Sequence, residues 1–441
     1  MATYDDLAGL PDPYPIHPIT GRLDADVTVP GSKSLTNRAL VCAALADGSS
    51  VLEGALFADD TEAMLGVLDA LGVNVDVDRH ENRITVHGSA GTLAGYDGAI
   101  DVRQSGTTSR FTLPLLLAGR GTYQVTAHPQ MQARPMATTI DALRSLGAQV
   151  AELGNTGHLP VRVTPGPPTL DGTPVLDVAG NASSQFLSGL LMAGPCLPAG
   201  LTLRLTTDLV SRPYIDLTTS VMRAFGATVD QPDDRTFHVA AGGYAARRYE
   251  VEPDASAASY PLAAAALCGG RVRVAGLTDA SLQGDAEFVD ILAAMGATVI
   301  RDDHGTEVRA EPRALRGGTF DFTHLSDTAQ TLAAIAPFAS ETVTITGIGF
   351  IRHKEIDRVE AVATELGRLG VAVAVDTDGW TIEPGLPRAG AVQTYEDHRM
   401  AMSFALCGLQ VPGIQIAGPA CVAKTFPGYW NLLAHLQASS T

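Results

Sequence analysis

The 441-residue sequence is short of charge, of aromatic rings and of cysteine. Charged residues make up only 18%, and acids outnumber bases by 48 to 30, giving a net charge of −18. That deficit of positive charge argues against nucleic acid or an anionic membrane as the main partner. It also makes any local gathering of Lys and Arg informative. The five cysteines, Cys42, Cys196, Cys268, Cys407 and Cys421, contain no C-x-x-C pair, and their number is odd. They read as reduced core residues in a reducing, cytoplasmic compartment. No uninterrupted apolar run reaches about 18 residues, so no membrane span is expected. The first residues lack a basic-then-apolar leader; residues 1–16, rich in Pro and Asp, are expected to form an irregular arm. The eleven histidines have no H-E-x-x-H or H-x₃-H spacing, so no protein-held metal is expected.

What the chain does have is repetition. At this length two or three domains are expected. A helix-like segment ending in Gly and running into a strand recurs five times, at Gly72, Gly147, Gly226, Gly296 and Gly370. These glycines lie 75, 79, 70 and 74 residues apart. Gly suits the left-handed position that stops a helix, and the β-branched residues after it suit a strand. A second unit keeps the same step: a small or polar loop, a helix apolar nearly all round, then a strand. Its six copies start near Lys33, Gly106, Ser183, Ser256, Asp327 and Asp397. A helix apolar on every side belongs in a core. The pattern predicts six α/β units of about 70 residues, three to a domain. The cut falls near Arg247–Glu250, and a sixth amphipathic helix, about 428–437, ends without a following strand.

The stretch from Val29 to Arg38 organises the rest. A Pro30-Gly31 turn ends a strand-like run, then Ser32-Lys33-Ser34 opens an apolar segment. A helix start exposes unpaired N–H groups and the positive end of the dipole, so it suits an anion. Lys33 adds a mobile point charge and Arg38 a planar fork suited to phosphate or carboxylate. The stretch alone fits a capped helix with two solvated cations equally well. It is not a Walker loop, because the upstream glycine of that motif is missing.

The other helix starts carry related residues. Gln104 to Arg110, Ser183-Ser184-Gln185, Asp327 and Asp397-His398-Arg399 open buried helices. Arg134-Pro135, Ser211-Arg212-Pro213, Lys354 to Arg358 and Lys424 to Pro427 open amphipathic ones, and Pro just after the basic residue suits a first helical turn. Taken singly, Ser, Thr and Asp at helix starts are ordinary caps and a lone Arg is a solvated charge. Their concurrence in successive repeats favours a groove of focused positive potential for substrates bearing phosphate and carboxylate. Two carboxylates stand out there, Asp327 and Glu355. Neighbouring cations would hold them ionised and burial would raise their pKa; both options stay open in the sequence.

In this order, these motifs resemble those of the 5-enolpyruvylshikimate-3-phosphate synthase family. They are Pro30-Gly31-Ser32-Lys33-Ser34 with Asn37-Arg38, Gly106-Thr107 with Arg110, Arg134-Pro135, Ser183 to Leu187 and Ser211 to Ile215. Asp254-Ala255-Ser256, Lys354-Glu355 with Asp357-Arg358, Asp397 to Met402 and Ala423 to Pro427 complete the set. The resemblance covers roughly Pro18 to Gln437. It implies a two-domain inside-out α/β barrel, one domain being 1–31 with 252–441 and the other 32–251. It also implies transfer of the enolpyruvyl group of phosphoenolpyruvate to the 5-hydroxyl of shikimate 3-phosphate, by addition then elimination. No metal or organic cofactor is implied; the expected partners are these two small molecules, with no nucleic acid and no membrane, acting on a monomer.

By the same resemblance, Lys33, Ser34, Arg38, Ser183, Ser184, Gln185, Ser211, Asp327 and Lys354 hold shikimate 3-phosphate. Lys33, Gly106, Arg134, Gln185, Arg358, Arg399 and Lys424 surround phosphoenolpyruvate. Asp327 takes the hydroxyl proton; Glu355 and Lys33 are the candidates for proton delivery. Gln104, Thr108-Ser109, Phe111, Phe350 and Ile356 depart from the family's common pattern, and none removes a charge. Gly106 is kept, so glyphosate is expected to enter. The nearest rivals are the sister transferase acting on UDP-N-acetylglucosamine, a paralogue acting on a related phosphorylated cyclohexene, and a binder that has lost the chemistry. The first needs a reactive loop cysteine, and none lies between Cys42 and Cys196.

Overall fold

The computed structural model describes residues 7–166, 172–181 and 183–440. It divides into two compact units: Gly31–Val251, and the described residues of Met1–Pro30 with Glu252–Thr441. Each has its own apolar core.

In the Gly31–Val251 unit the core is three helices, Lys33–Leu45, Gly106–Leu115 and Ser184–Ala193. They pack on one another, and nearly every residue in them is buried. Each starts at a serine cap. Ser32 accepts from Leu35 N at 3.4 Å, Ser105 from Thr108 N at 3.1 Å and Ser183 from Gln185 N at 3.3 Å, satisfying donors that a helix start leaves open. The second and third helices approach so closely at Gly189 that an added Cβ would lie 2.4 Å from the Arg110 carbonyl oxygen.

Each buried helix is accompanied by a small sheet with one order of strands, whose leading strand precedes the helix in the second and third copies. Ala99–Asp101 runs parallel to Tyr123–Thr126, which pairs antiparallel with Val161–Thr164, which pairs antiparallel with Gln149–Glu152. Val175–Val178, Leu201–Leu205, Thr236–Val239 and Val229–Asp233 repeat that order. The first copy takes its leading strand from the far end of the unit: Arg248–Glu250 runs parallel to Ser49–Glu53. Amphipathic helices Asp59–Ala70, Ala137–Ser145 and Pro213–Ala224 cover the sheets with one face buried.

The other unit repeats the plan with Ala255–Cys268, Ala329–Ile335 and His398–Gly408, all buried. Its first sheet takes its leading strand from the start of the chain, Leu23–Val27, parallel to Gly270–Ala275. That strand alternates buried and exposed residues, as a half-covered strand must. The third sheet, Gly390–Val392 beside Ile414–Ile416, gains its antiparallel strand from Tyr14–Pro15. The arm expected to be irregular therefore supplies a strand within residues 7–16; residues 1–6 lie outside the described set. The sixth repeat ends in a helix, Tyr429–Ala438, so the edge of its sheet is open to this segment.

The five recurring glycines all have positive φ, from 74° at Gly72 to 107° at Gly296, each just beyond a helix. The prolines divide. Pro213 opens the helix Pro213–Ala224 as expected. Pro135 and Pro427 stand two residues before Ala137–Ser145 and Tyr429–Ala438, so they end the preceding loop instead. No helix among the described residues is long and apolar enough to cross a membrane.

Candidate active site

In the Gly31–Val251 unit the expected residues gather at the N-terminal ends of the three buried helices. Lys33 is the first residue of its helix; its Nζ lies 3.5 Å from Oδ2 of Asp60. Ser34 follows, and its carbonyl accepts from Nη1 of Arg38 at 2.9 Å. Arg38 itself turns inward and is fully buried. Its Nε donates to Thr218 Oγ1 at 2.7 Å, and its Nη2 to Ser188 Oγ and the Tyr214 carbonyl, both at 3.2 Å. The guanidinium stacks 5.2 Å over Phe111. Burial lowers its pKa to about 10, far enough above neutrality to leave it charged. Arg38 thus ties the Ser34 backbone to two neighbouring helices.

Gly106, the first residue of the second buried helix, lies between two guanidinium groups. A Cβ there would sit 2.7 Å from Nη1 of Arg110 and 2.7 Å from Nη1 of Arg134. Arg110 donates to the Gly106 carbonyl and to Gln185 Oε1, each at 3.2 Å, and stacks 4.9 Å over Phe186. Gln185 belongs to the third buried helix, so Arg110 joins two helix starts. Ser183 caps that helix and Ser184 is its buried first residue. Ser211 has a φ of +53°, rare for a residue with a side chain, and is buried. Such a conformation persists only where its surroundings enforce it, and it concentrates at ligand sites.

In the other unit a charged cluster forms around Arg358, which is 1% exposed. Its Nε donates to Asp397 Oδ2 at 2.7 Å, its Nη2 lies 2.9 Å from Glu355 Oε2, and its Nη1 reaches Asp327 Oδ1 at 3.4 Å. Asp327 also accepts from Arg399 Nη2 at 2.8 Å and has Lys354 Nζ at 3.6 Å. The surrounding carboxylates raise the pKa of Arg358 despite its burial. Asp397 caps the His398–Gly408 helix, accepting from Arg399 N at 2.8 Å. Lys424 is buried at the end of the turn Pro419–Lys424. His398 is fully buried, with Nδ1 3.8 Å from Asp397 Oδ1.

The sequence reading passed over three residues. Asp60 stands in the first turn of an amphipathic helix, where an acid looks like an ordinary dipole partner. Thr218 is a neutral residue inside the helix Pro213–Ala224 and carries no signal in the sequence. Asp285 follows Gln283-Gly284 with no periodic signal. Ser256 Oγ donates to Asp285, and burial, with the charge of Asp327 second, pushes its carboxyl up to about 6.

The departures sit around these clusters without opening them. Thr108 and Ser109 hydroxyls donate to the carbonyls of Asp60 and Gly106, each at 3.0 Å. Gln104 Nε2 lies 3.2 Å from His128 Nδ1. Phe350 and Ile356 pack on the core, and the Phe350 ring lies 6.0 Å from Lys354 Nζ. No group of three or more His, Cys, Asp or Glu placed to hold a metal occurs among the described residues.

Known proteins resemble this chain along most of its length. The sequence profile of a family described as EPSP synthase (3-phosphoshikimate 1-carboxyvinyltransferase) matches residues 18–433. The 3-phosphoshikimate 1-carboxyvinyltransferase of Nostoc punctiforme is 45% identical over 410 residues, 93% of this chain and 95% of that relative. That of Trichormus variabilis is 43% identical over 410 residues, with the same two shares. Among solved structures, EPSP synthase from Acinetobacter baumannii superposes with a TM-score of 0.80 at 27% identity, covering 96% of this chain and 97% of that one.

Proposed function

The chain belongs to the EPSP synthase family, and from that premise we propose how its residues divide the reaction. It is an enzyme, a 3-phosphoshikimate 1-carboxyvinyltransferase of aromatic amino acid biosynthesis. It transfers the enolpyruvyl group of phosphoenolpyruvate to the 5-hydroxyl of shikimate 3-phosphate and releases phosphate. In this reading a single chain, acting as a cytoplasmic monomer, supplies every protein group.

The observation that carries the assignment is the contrast in charge between the two clusters. In the Gly31–Val251 unit Lys33, Arg38, Arg110 and Arg134 accompany the one named carboxylate, Asp60. That surplus suits anions, and we assign Lys33, Gly106, Arg134 and Gln185 to phosphoenolpyruvate. Ser34, Ser183, Ser184, Gln185 and Ser211 hold shikimate 3-phosphate, with Lys33 beside them and Arg38 fixing Ser34 from behind. In the other unit cations and carboxylates nearly balance, which suits proton transfer. In the proposed reaction Asp327 takes the 5-hydroxyl proton as oxygen bonds to C2 of phosphoenolpyruvate, while C3 receives a proton through Glu355 or Lys33. Loss of a proton from C3 then expels phosphate and restores the double bond. Lys354 completes the shikimate 3-phosphate set; Arg358, Arg399 and Lys424 complete that for phosphoenolpyruvate. Charge-assisted donors fixed in advance stabilise the developing charges without reorganisation.

The cysteines argue against the sister chemistry. Burial pushes the thiols of Cys42, Cys407 and Cys421 up to about 12, and those of Cys196 and Cys268 up to about 11. None is activated as a nucleophile.

Gly106 gives a direct test. In Gly106→Ala the new methyl group displaces the guanidinium groups of Arg110 and Arg134, whose stems are buried. The KM for phosphoenolpyruvate rises about tenfold or more, while folding stability changes by less than about 1 kcal/mol. Steady-state kinetics with each substrate varied in turn checks this. An unchanged KM for phosphoenolpyruvate contradicts the assignment of Gly106 and Arg134.

A further inference from the structure

We propose that Asp60 is a positioning residue for Lys33, holding its ammonium group at the phosphoenolpyruvate site. This rests on the role given to Lys33 above. The Asp60 side chain is 2% exposed and its Oδ2 lies 3.5 Å from Lys33 Nζ, on a side chain 12% exposed. A carboxylate buried this deeply is costly unless a cation accompanies it. Lysine is a point charge on a flexible four-carbon stem, so a fixed partner is what localises it.

The backbone around Asp60 is fixed to both helix starts that the site uses. Its carbonyl accepts from the hydroxyls of Thr108 at 3.0 Å and Ser105 at 3.4 Å, and Ser105 is the cap of the helix that Gly106 begins. On the other side, Leu56 N donates to Thr36 Oγ1 at 3.1 Å, one turn along the Lys33 helix. Thr61 Oγ1 accepts from Ala58 N at 3.0 Å, which closes the turn that carries Asp60. Asp60 therefore sets the Lys33 ammonium group relative to Gly106.

The neighbouring acid provides a control. Asp59 occupies the same helical turn and has the same dipole benefit. It faces outward and pairs with a half-exposed arginine, Arg103, at 2.7 Å. An acid needed only for the helix start would sit as Asp59 does; burial against a lysine is a further feature.

The test is steady-state kinetics of the full chain for Asp60→Asn, Asp60→Glu, Lys33→Gln and the double variant Asp60→Asn/Lys33→Gln. The expected result is a fall of about 100-fold in kcat/KM for phosphoenolpyruvate in Asp60→Asn. Asp60→Glu recovers at least about tenfold of that loss. In the Lys33→Gln background, Asp60→Asn adds less than about threefold, because it acts through the lysine. Asp60→Asn within threefold of wild type overturns the proposal, as does a full additional loss in the double variant. If Asp60→Asn folds poorly, the double variant decides, since it removes both charges of the pair together and has to match Lys33→Gln. Thermal melting supplies a readout independent of turnover: the double variant melts above Lys33→Gln, which keeps the buried Asp60 carboxylate without the lysine. If wild type releases no phosphate but this melting order holds, the functional reading fails and the pairing stands. If the order is reversed, the pairing fails.

Discussion

Asp327→Asn lowers phosphate release from phosphoenolpyruvate and shikimate 3-phosphate by about a thousandfold, within the range expected for loss of a positioned proton acceptor. The amide keeps the size of the carboxylate but accepts no proton at neutral pH. Its binding consequences point the other way. Asp327 now offsets Arg399 at 2.8 Å, Arg358 at 3.4 Å and Lys354 at 3.6 Å. Without its charge those cations are less neutralised, so the affinity for the anionic substrates holds or rises. The measurement is kcat from phosphate release beside the shikimate 3-phosphate Kd from calorimetry. A loss carried wholly by affinity, with kcat unchanged, contradicts the assignment.

The second large effect belongs to Arg358. Arg358→Gln removes a buried fork that engages Asp397, Glu355 and Asp327. Taking the buried Asp397 away from its cation costs about 3–5 kcal/mol, read as a loss in the urea unfolding free energy of the full chain. Turnover falls below about one thousandth, because Asp397 also caps the helix that carries Arg399. Adding Asp397→Asn restores part of the stability and none of the turnover. Arg358→Lys is no remedy, since one ammonium cannot reproduce contacts made by three guanidinium nitrogens. A fully stable, active Arg358→Gln would contradict this account of the cluster.

Much of the fold could be read from the sequence because its punctuation is local. Gly72, Gly147, Gly226, Gly296 and Gly370 mark helix ends through a backbone conformation that favours glycine, and Ser32, Ser105 and Ser183 mark starts through a cap. Which strand joins which sheet is not local. The sequence shows a strand-like run just before Pro30 and a domain boundary near Arg247–Glu250, but carries no information on the sheets that Leu23–Val27 and Arg248–Glu250 complete, and Tyr14–Pro15 is too short to give a pattern. The charged site was legible where residue types are unusual for their place, as at Lys33 and Arg358. Arg38 illustrates a signal that was present but underused. A helix apolar on every side has no solvent face, so an arginine within it has to find acceptors inside, as Arg38 does at Thr218, Ser188 and Tyr214. Asp60 and Asp285 gave no such signal, because burial distinguishes them from ordinary surface acids and burial is a property of the assembled fold.

The central claim is that these helix starts perform one transfer between two phosphorylated substrates. It is tested by following phosphate release from the purified full chain when phosphoenolpyruvate and shikimate 3-phosphate are mixed, with each omitted in turn and with unphosphorylated shikimate as acceptor. The account predicts steady release that needs both substrates, yields one enolpyruvyl ether per phosphate, and falls by more than about tenfold with unphosphorylated shikimate. Binding of both substrates with no release, or release that does not require shikimate 3-phosphate, would contradict it.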